Sequence, residues 1–404
     1  MPESMKISNE SHLTYCSNIH AGESWKEVSD ALKAHLPVVK EKVSPEQPMG
    51  VGLRLSNQAS LELQKTGTRH FLDWMNQNGF YVFTMNGFPY GGFHRQKVKD
   101  QVHQPDWTTA ARLEYTLRLF DQLAELLPEQ LEGGISTSPL SYKYWWSADK
   151  IDGVFRQSTL HLIEVVKHLH NYHKKHGILL HLDLEPEPDG LIENSDETIA
   201  YYRDWLLPVG RKHLAEYLGV TENQAEEILL RHITVCYDVC HFAVAYESHT
   251  SAMERFSQFG IQIGKIQISS ALKTKFTAGT RSRFEEAFKA LDEPTYLHQV
   301  VARDHQGILR QYTDLPVALE HINDQEIAEW RTHFHVPVFV ESFGLMESTQ
   351  ADIKQVLDLW SQQPMTRHLE VETYTWEVLP PELQTEMNTS IARELNWVVD
   401  QLST

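Results

Sequence analysis

The strongest limit on the fold is an alternation of short apolar segments with longer helix-like windows. The segments are residues 12–16, 51–55, 80–84, 134–137, 178–183, 233–237, 261–268 and 369–374, each rich in β-branched residues or ending in a polar cluster. The windows between them carry apolar residues at helical spacing. One opens at Ser24-x-x-Glu27, the form of a capping box, and continues through Trp25, Val28, Leu32, Leu36 and Val39. A second holds Leu113, Leu117, Phe120 and Leu127 before Pro128, and a third holds Leu160, Ile163, Val166, Leu169 and Tyr172 before Gly177. Others cover about 196–218, 222–231, 252–259, 349–361 and 382–402.

No linker or shift of composition divides the chain, so the alternation predicts one parallel α/β structure, a single (β/α)8 TIM barrel over residues 1–404. A doubly wound open sheet usually shows a glycine-rich phosphate turn after its first strand. Here that strand runs into Tyr15-Cys16-Ser17-Asn18-Ile19-His20 instead. The strand ends fall near 16, 55, 84, 137, 183, 237 and 268, but the next falls near 374. That gap predicts an insertion of about 65 residues between about Ser270 and His335, on the C-terminal face where barrel active sites lie. Within it, 284–291 reads as a helix, and 296–302 and 336–340 as strands.

Composition removes several function classes. Lys and Arg number 36 against 55 Asp and Glu, a net charge of −19, which argues against binding a nucleic-acid backbone. No run approaches the ~18 apolar residues of a membrane span, and the polar first eleven residues lack a signal peptide's apolar core. Cys16, Cys236 and Cys240 form no Cys-x-x-Cys pair. These features predict a cytoplasmic protein without membrane insertion. Nucleotide-binding, zinc-protease, serine-hydrolase and kinase motifs are all missing from the sequence.

What remains is a set of acids and imidazoles at strand ends. In Ile178-Leu-Leu-His-Leu-Asp-Leu-Glu the strand period of two places His181, Asp183 and Glu185 on one face, the barrel interior. A lone acid leaving a strand could simply reach solvent; three in alternation point to a site. Asp238 ends the next strand with His241 three residues on, a pair that suits Mn, Mg, Co or Zn, although Asp238 could equally cap the following helix. His333 and His335 share a face, as do Glu370 and Glu372, and a solvated edge would explain either pair taken alone.

Glu185, Asp238-x-x-His241, a later imidazole and Glu372 resemble the Glu…Asp-x-x-His…His…Glu arrangement of the xylose-isomerase-like TIM barrels, which include sugar epimerases, sugar-phosphate isomerases and AP endonucleases. Four longer motifs are similar to the EboE branch, metabolite-traffic barrels of bacterial ebo gene clusters. They are His12-Leu-Thr-Tyr-Cys-Ser-Asn-Ile-His20, Thr84-Met-Asn-Gly-Phe-Pro-Tyr-Gly-Gly-Phe-His94, Pro139-Leu-Ser-Tyr-Lys143 and Glu370-Val-Glu-Thr-Tyr-Thr-Trp376. The resemblance implies one divalent ion (Mn, Co, Mg or Zn) held by Glu185, Asp238, His335 and Glu372. Gln267 stands where the family often has a ligand histidine, so either Gln267 is a ligand or neighbour, or His335 re-enters from the insertion; His335 is the better donor.

The same resemblance implies sugar-like or hydroxy-ketone substrates isomerised or epimerised through an enediolate, with Glu185 and Glu372 as the proton-carrying catalytic pair. Substrate-binding candidates are His241, His94, Asn86, His20 and Gln267, with Arg54 and Lys143 available for a carboxylate or phosphate. Expected partners are a small-molecule metabolite and other ebo-cluster proteins. A barrel that binds and hands on a metabolite without turnover is the main alternative, and an AP-endonuclease-like phosphodiesterase is a third, disfavoured by the charge.

Overall fold

A computed structural model of the chain describes residues 11–92, 94, 97–277, 279–375 and 386–403. Trp376 and the start of the window at 382 lie outside the described residues. The first seven strands are β1 His12–Tyr15, β2 Met49–Arg54, β3 Phe80–Asn86, β4 Gly133–Thr137, β5 Leu180–Leu184, β6 Ile233–Asp238 and β7 Ile263–Ile268. A second group follows: β8 Ser270–Lys275, β9 Val300–Asp304, β10 Leu309–Tyr312, β11 Ile327–Val336, β12 Ser342–Phe343 and β13 Met346–Ser348. The last strand, β14 His368–Val371, returns to the first group.

Strands β1 to β7 and β14 pair in parallel in the order β1-β14-β7-β6-β5-β4-β3-β2, and a parallel bridge from Cys16 to Gly52 joins the two ends. The result is a closed TIM barrel of eight parallel strands, as the alternation predicts. Helices wrap it. Ser24 and Glu27 form the expected capping box at the head of Trp25–Val43, and Gly177, at φ 74°, ends Ile151–His176 in the left-handed region. The predicted window at 196–218 is interrupted by a π-helical turn, Tyr202–Leu206, between Ser195–Tyr201 and Leu207–Leu218. No helix among the described residues is long and apolar enough to cross a membrane.

The barrel interior is unusually polar. Lys265 on β7 and Glu370 on β14 are both fully buried and pair at 2.8 Å, and Lys265 also donates to Met85 O at 3.1 Å. Asp183 is buried beside them on β5, where it accepts from His181 Nδ1 at 2.6 Å and from Thr234 Oγ1. Two glycines make the room: a Cβ on Gly52 would run into Glu370 Oε1, and one on Gly264 into Asp183 Oδ1.

The insertion is a six-stranded antiparallel sheet, β10-β9-β11-β8-β13-β12. It starts at Ser270, two residues beyond the end of β7, and reaches Ser348, further than the sequence indicates. Phe276 and Phe288 pack on Trp330 at ring distances of 5.2 and 5.4 Å and give the sheet its own apolar core. The helix expected at 284–291 is Arg281–Lys289. The strand expected at 336–340 is displaced: Ile327–Val336 is the strand, and it stops because Pro337 has no N–H for the ladder.

Candidate metal centre

Three strand ends bring carboxylates together. Alternation along β5 turns Leu182 and Leu184 outward and Asp183 and Glu185 inward, and the Glu185 amide donates to Thr137 O at 3.0 Å. Asp238 ends β6 and caps the helix Val239–Val244: its Oδ1 accepts from the His241 amide at 3.1 Å and from Ser269 Oγ at 2.6 Å. Capping uses one oxygen and leaves Oδ2 for a ligand, so the two readings of this residue are compatible. Glu372 follows β14, and its Oε1 accepts from Asn18 Nδ2 at 2.8 Å and Asn86 Nδ2 at 2.9 Å.

Oxygens of Glu185, Asp238 and Glu372 lie within 4.8 Å of one another, and all three residues are buried. Glu185 Oε2 and Asp238 Oδ2 have no hydrogen-bond partner. Burial and then the charges of neighbouring acids push the carboxyls of Glu185 and Glu372 well above the usual carboxylate range. Such a cluster requires protons or a cation.

Imidazoles complete the cluster. Between Thr332 and Val336 the register of β11 against β8 slips, a bulge that turns His333 and His335 toward the barrel mouth. His335 Nδ1 donates to the Glu372 carbonyl at 3.0 Å, which leaves Nε2 unprotonated and, buried, without a partner; a ring nitrogen of His335 lies within 4.8 Å of ligand atoms of Asp238 and His241. Burial depresses the His335 pKa to about 4, so the ring is neutral, as a ligand must be. His335 therefore joins the carboxylates through Asp238, and is not within the same radius of Glu185 and Glu372 together. The donor set and its orphaned atoms fit a divalent ion.

A second group adjoins the first. Glu187, His241 and His333 offer ligand atoms within 4.8 Å of one another. His241 Nδ1 faces Pro186 O at 3.0 Å and His333 Nδ1 faces Gln299 Oε1 at 2.8 Å, so both act as donors. Their Nε2 atoms then confront each other as lone pairs at 3.2 Å, a contact that needs a proton or an ion between them. His103 Nε2 lies 3.0 Å from Glu187 Oε1. Sequence reasoning passed over Glu187 and His103. The first had a signal, because Glu187 continues the alternation of β5 by one more step; the second had none.

The other predicted site residues separate into two groups. Asn86 and His241 line the cavity over the carboxylates together with Phe88, Lys99 and Tyr296. Gln267 is buried beneath it, opposite Asp238 and Glu370 in register, and accepts from Cys236 Sγ at 2.6 Å. His94 packs at the rim against Asn18 O at 2.5 Å, whereas His20 is bonded to Tyr15 and stacked on His35 away from the cavity. Arg54 holds loops through Glu23, Gly22 O and Gly91 O, and Lys143 is tied to Glu193 at 2.5 Å. Neither basic residue lines the cavity.

No family model matches the sequence, and no curated protein matches it. Among solved structures, a xylose isomerase-like TIM barrel protein from Mycobacterium smegmatis, in complex with magnesium, superposes with a TM-score of 0.52 over 98% of each chain at 9% identity. A zinc-bound IolI protein gives 0.44 over 97% of this chain and 98% of that one at 11% identity. A xylose isomerase domain protein from Planctomyces limnophilus gives 0.44 over 91% and 92%, also at 11% identity. The fold is the xylose isomerase-like TIM barrel, with the antiparallel sheet inserted late in the chain.

Proposed function

We propose that the protein is a divalent-metal-dependent isomerase or epimerase acting on a small, uncharged, sugar-like hydroxy-carbonyl compound. The observation that carries this reading is the convergence of three buried carboxylates with unpartnered Glu185 Oε2, Asp238 Oδ2 and His335 Nε2. Glu185, Asp238 and Glu372 would hold the ion with His335 beside Asp238. A bound divalent ion supplies Lewis acidity that offsets negative charge developing on a carbonyl and its neighbouring hydroxyl.

The chain's own groups account for the rest. Asn18 and Asn86 engage Glu372 Oε1, which leaves Oε2 outside those bonds, and Glu185 Oε2 is likewise without a partner. Glu185 and Glu372, just past the ends of different strands, would each bind the ion through one oxygen and use the other to move a proton, one taking it from a carbon and the other delivering it to the other side or to the next carbon. The raised proton affinities of both carboxyls suit that task. Phe88 and Tyr296 supply apolar walls against a sugar's C–H face.

An uncharged substrate follows from the lining. Among the described residues lining the cavity, Lys99 is the one Lys or Arg, and Asp314 pairs with it at 2.7 Å. Arg54 and Lys143 are bound to other acids, so a phosphate would meet mainly carboxylates. In the ebo-type setting that the motifs suggest, the product would be a metabolite passed to other proteins of the cluster. The magnesium of the Mycobacterium smegmatis barrel lends support to the metal requirement.

The test is solvent-deuterium incorporation at the carbon next to the carbonyl, with a panel of ketoses and Mn or Co added. Wild type is expected to exchange, and Glu185→Gln and Glu372→Gln to lose exchange while remaining folded. Equal exchange in both variants would exclude the proton-transfer role. A protein that takes up metal and binds sugar yet never exchanges would be a metabolite carrier.

A further inference from the structure

We propose that Glu132, His181 and His368 form a second, independent divalent-cation site on the opposite, N-terminal face of the barrel, suited to a borderline ion such as zinc. Glu132 precedes β4, His181 is the second residue of β5 and His368 opens β14, so three strands deliver these side chains to the same end. A ligand atom of each lies within 4.8 Å of the others. The mouth of the barrel, with Glu185 and Glu372, is at the other end of the same strands.

The imidazoles are presented as ligands are. His181 Nδ1 donates to Asp183 Oδ1 at 2.6 Å, and Asp183 is itself buried and held by Thr234. This carboxylate–histidine pair fixes the tautomer and directs the Nε2 lone pair away from Asp183. His368 is 1% exposed, and its Nδ1 is a buried atom with no hydrogen-bond partner. The two rings lie 5.1 Å apart, tilted by 37°. Glu132 is partly exposed at the rim, with Arg367 Nη1 3.5 Å from its Oε2.

Two imidazoles and one carboxylate are a borderline donor set, three protein ligands with a fourth position open. Clefts of about 570 and 680 Å³ reach this spot from solvent, one lined by His181 and the other by His368, with Glu132 on both walls. The ion therefore has a route in. Arg231 and Arg367 on the first cleft's wall weaken the site for a bare dication and dispose it toward an ion carrying an anionic fourth ligand. Bound there, the ion would tie β4, β5 and β14 together across the base of the barrel.

The experiment starts from Asp238→Asn/His333→Ala/Glu372→Gln, which disables both ligand groups at the barrel mouth, so the outcome is separate from the fate of that proposal. Calorimetric titration of the full-length variant with Zn2+ is expected to show one equivalent bound. Adding Glu132→Gln, at the partly exposed rim where folding is not at stake, should weaken binding at least about tenfold, and adding His368→Ala should abolish it. X-ray absorption of the loaded protein should report two imidazoles. The site is excluded if the starting variant, folded by circular dichroism, binds no Zn2+ at about 1 mM. It is equally excluded if binding persists unchanged in both Glu132→Gln and His368→Ala, which would place the ion on other histidines.

Discussion

Replacing Glu372 with Gln should make the metal-free protein more stable and the metal-loaded protein less so. At the 4.8 Å that bounds the separation of the Glu185, Asp238 and Glu372 oxygens, two full charges at an effective dielectric of about 20 repel by about 3.5 kcal/mol. Protonation relieves part of this, which is why burial and the neighbouring acids hold the Glu372 carboxyl well above its ordinary range. The sign follows. A carboxyl whose folded pKa is raised contributes stability that is complete below about 4.5, and loses it as pH climbs through the folded value, by up to about 1.4 kcal/mol per pH unit. Glutamine keeps an oxygen for Asn18 and Asn86, which donate at 2.8 and 2.9 Å, so those bonds survive the change.

Buried histidines complicate the wild-type profile, because burial depresses the pKa values of His333 and His335 and their stabilisation falls away below about 6.5. The difference between wild type and Glu372→Gln cancels them. In chelator the variant should be more stable at pH 7.5 by up to about 3 kcal/mol, and the gap should close toward pH 5. With about 2.1 cal/mol/K of unfolding entropy per residue, that gap is a Tm difference of about 3–4 °C for the 404-residue chain. Added Mn2+ should raise the wild-type Tm and move the variant's much less. Circular-dichroism melts in chelator at the two pH values provide the check. A variant that melts below wild type at pH 7.5, or a gap that ignores pH, would mean that these acids do not share a repulsive site.

Three further outcomes are expected. Lys265→Met should cost about 3–5 kcal/mol by stranding buried Glu370, and Lys265→Met/Glu370→Gln should recover much of it in urea denaturation; equal losses in the single and the double variant would show that the pair is not coupled. Gly264→Ala drives a methyl into Asp183 Oδ1 and should destabilise by about 1–3 kcal/mol, so an unchanged melt would contradict the packed interior described here. His335→Gln should lower Mn2+ affinity at the barrel mouth by about tenfold or more in a titration, and unaltered affinity would leave the carboxylates as the whole ligand set.

How much of this the sequence carried depends on whether the relevant order is local. All eight barrel strands are legible, because period-two alternation and helix caps act over a few residues, and β5 shows its inward acids in its own spelling. The insertion is less legible. Strand β8 begins two residues past the end of β7 and reads as its tail, while β10, β12 and β13 are too short or too exposed to carry a pattern. Arg54 and Lys143 illustrate the same limit at the site: a basic residue beside a strand end attracts a functional reading, and only three-dimensional pairing shows that Glu23 and Glu193 already engage them.

The third protein donor type is the sharpest instance, since it depends on register between strands some sixty residues apart. Gln267 on β7 is opposite Asp238 and Glu370, where the family resemblance leads one to expect a ligand imidazole, and it is bonded to Cys236 instead. Two residues beyond the end of β7 the chain turns into the antiparallel sheet, and the long strand β11 comes back so that Val336 pairs with Ser270. His335 is thereby brought beside the end of β14, with its Nδ1 anchored on the Glu372 carbonyl. The bulge in β11 is what lets His333 follow it into the mouth and face His241. The insertion is then part of the centre and not an appendage to it: a barrel trimmed at Ser270 and rejoined at Thr349 would keep all three carboxylates, yet lose both imidazoles that face them from above, and its affinity for a borderline ion such as zinc or cobalt should fall further than its affinity for magnesium.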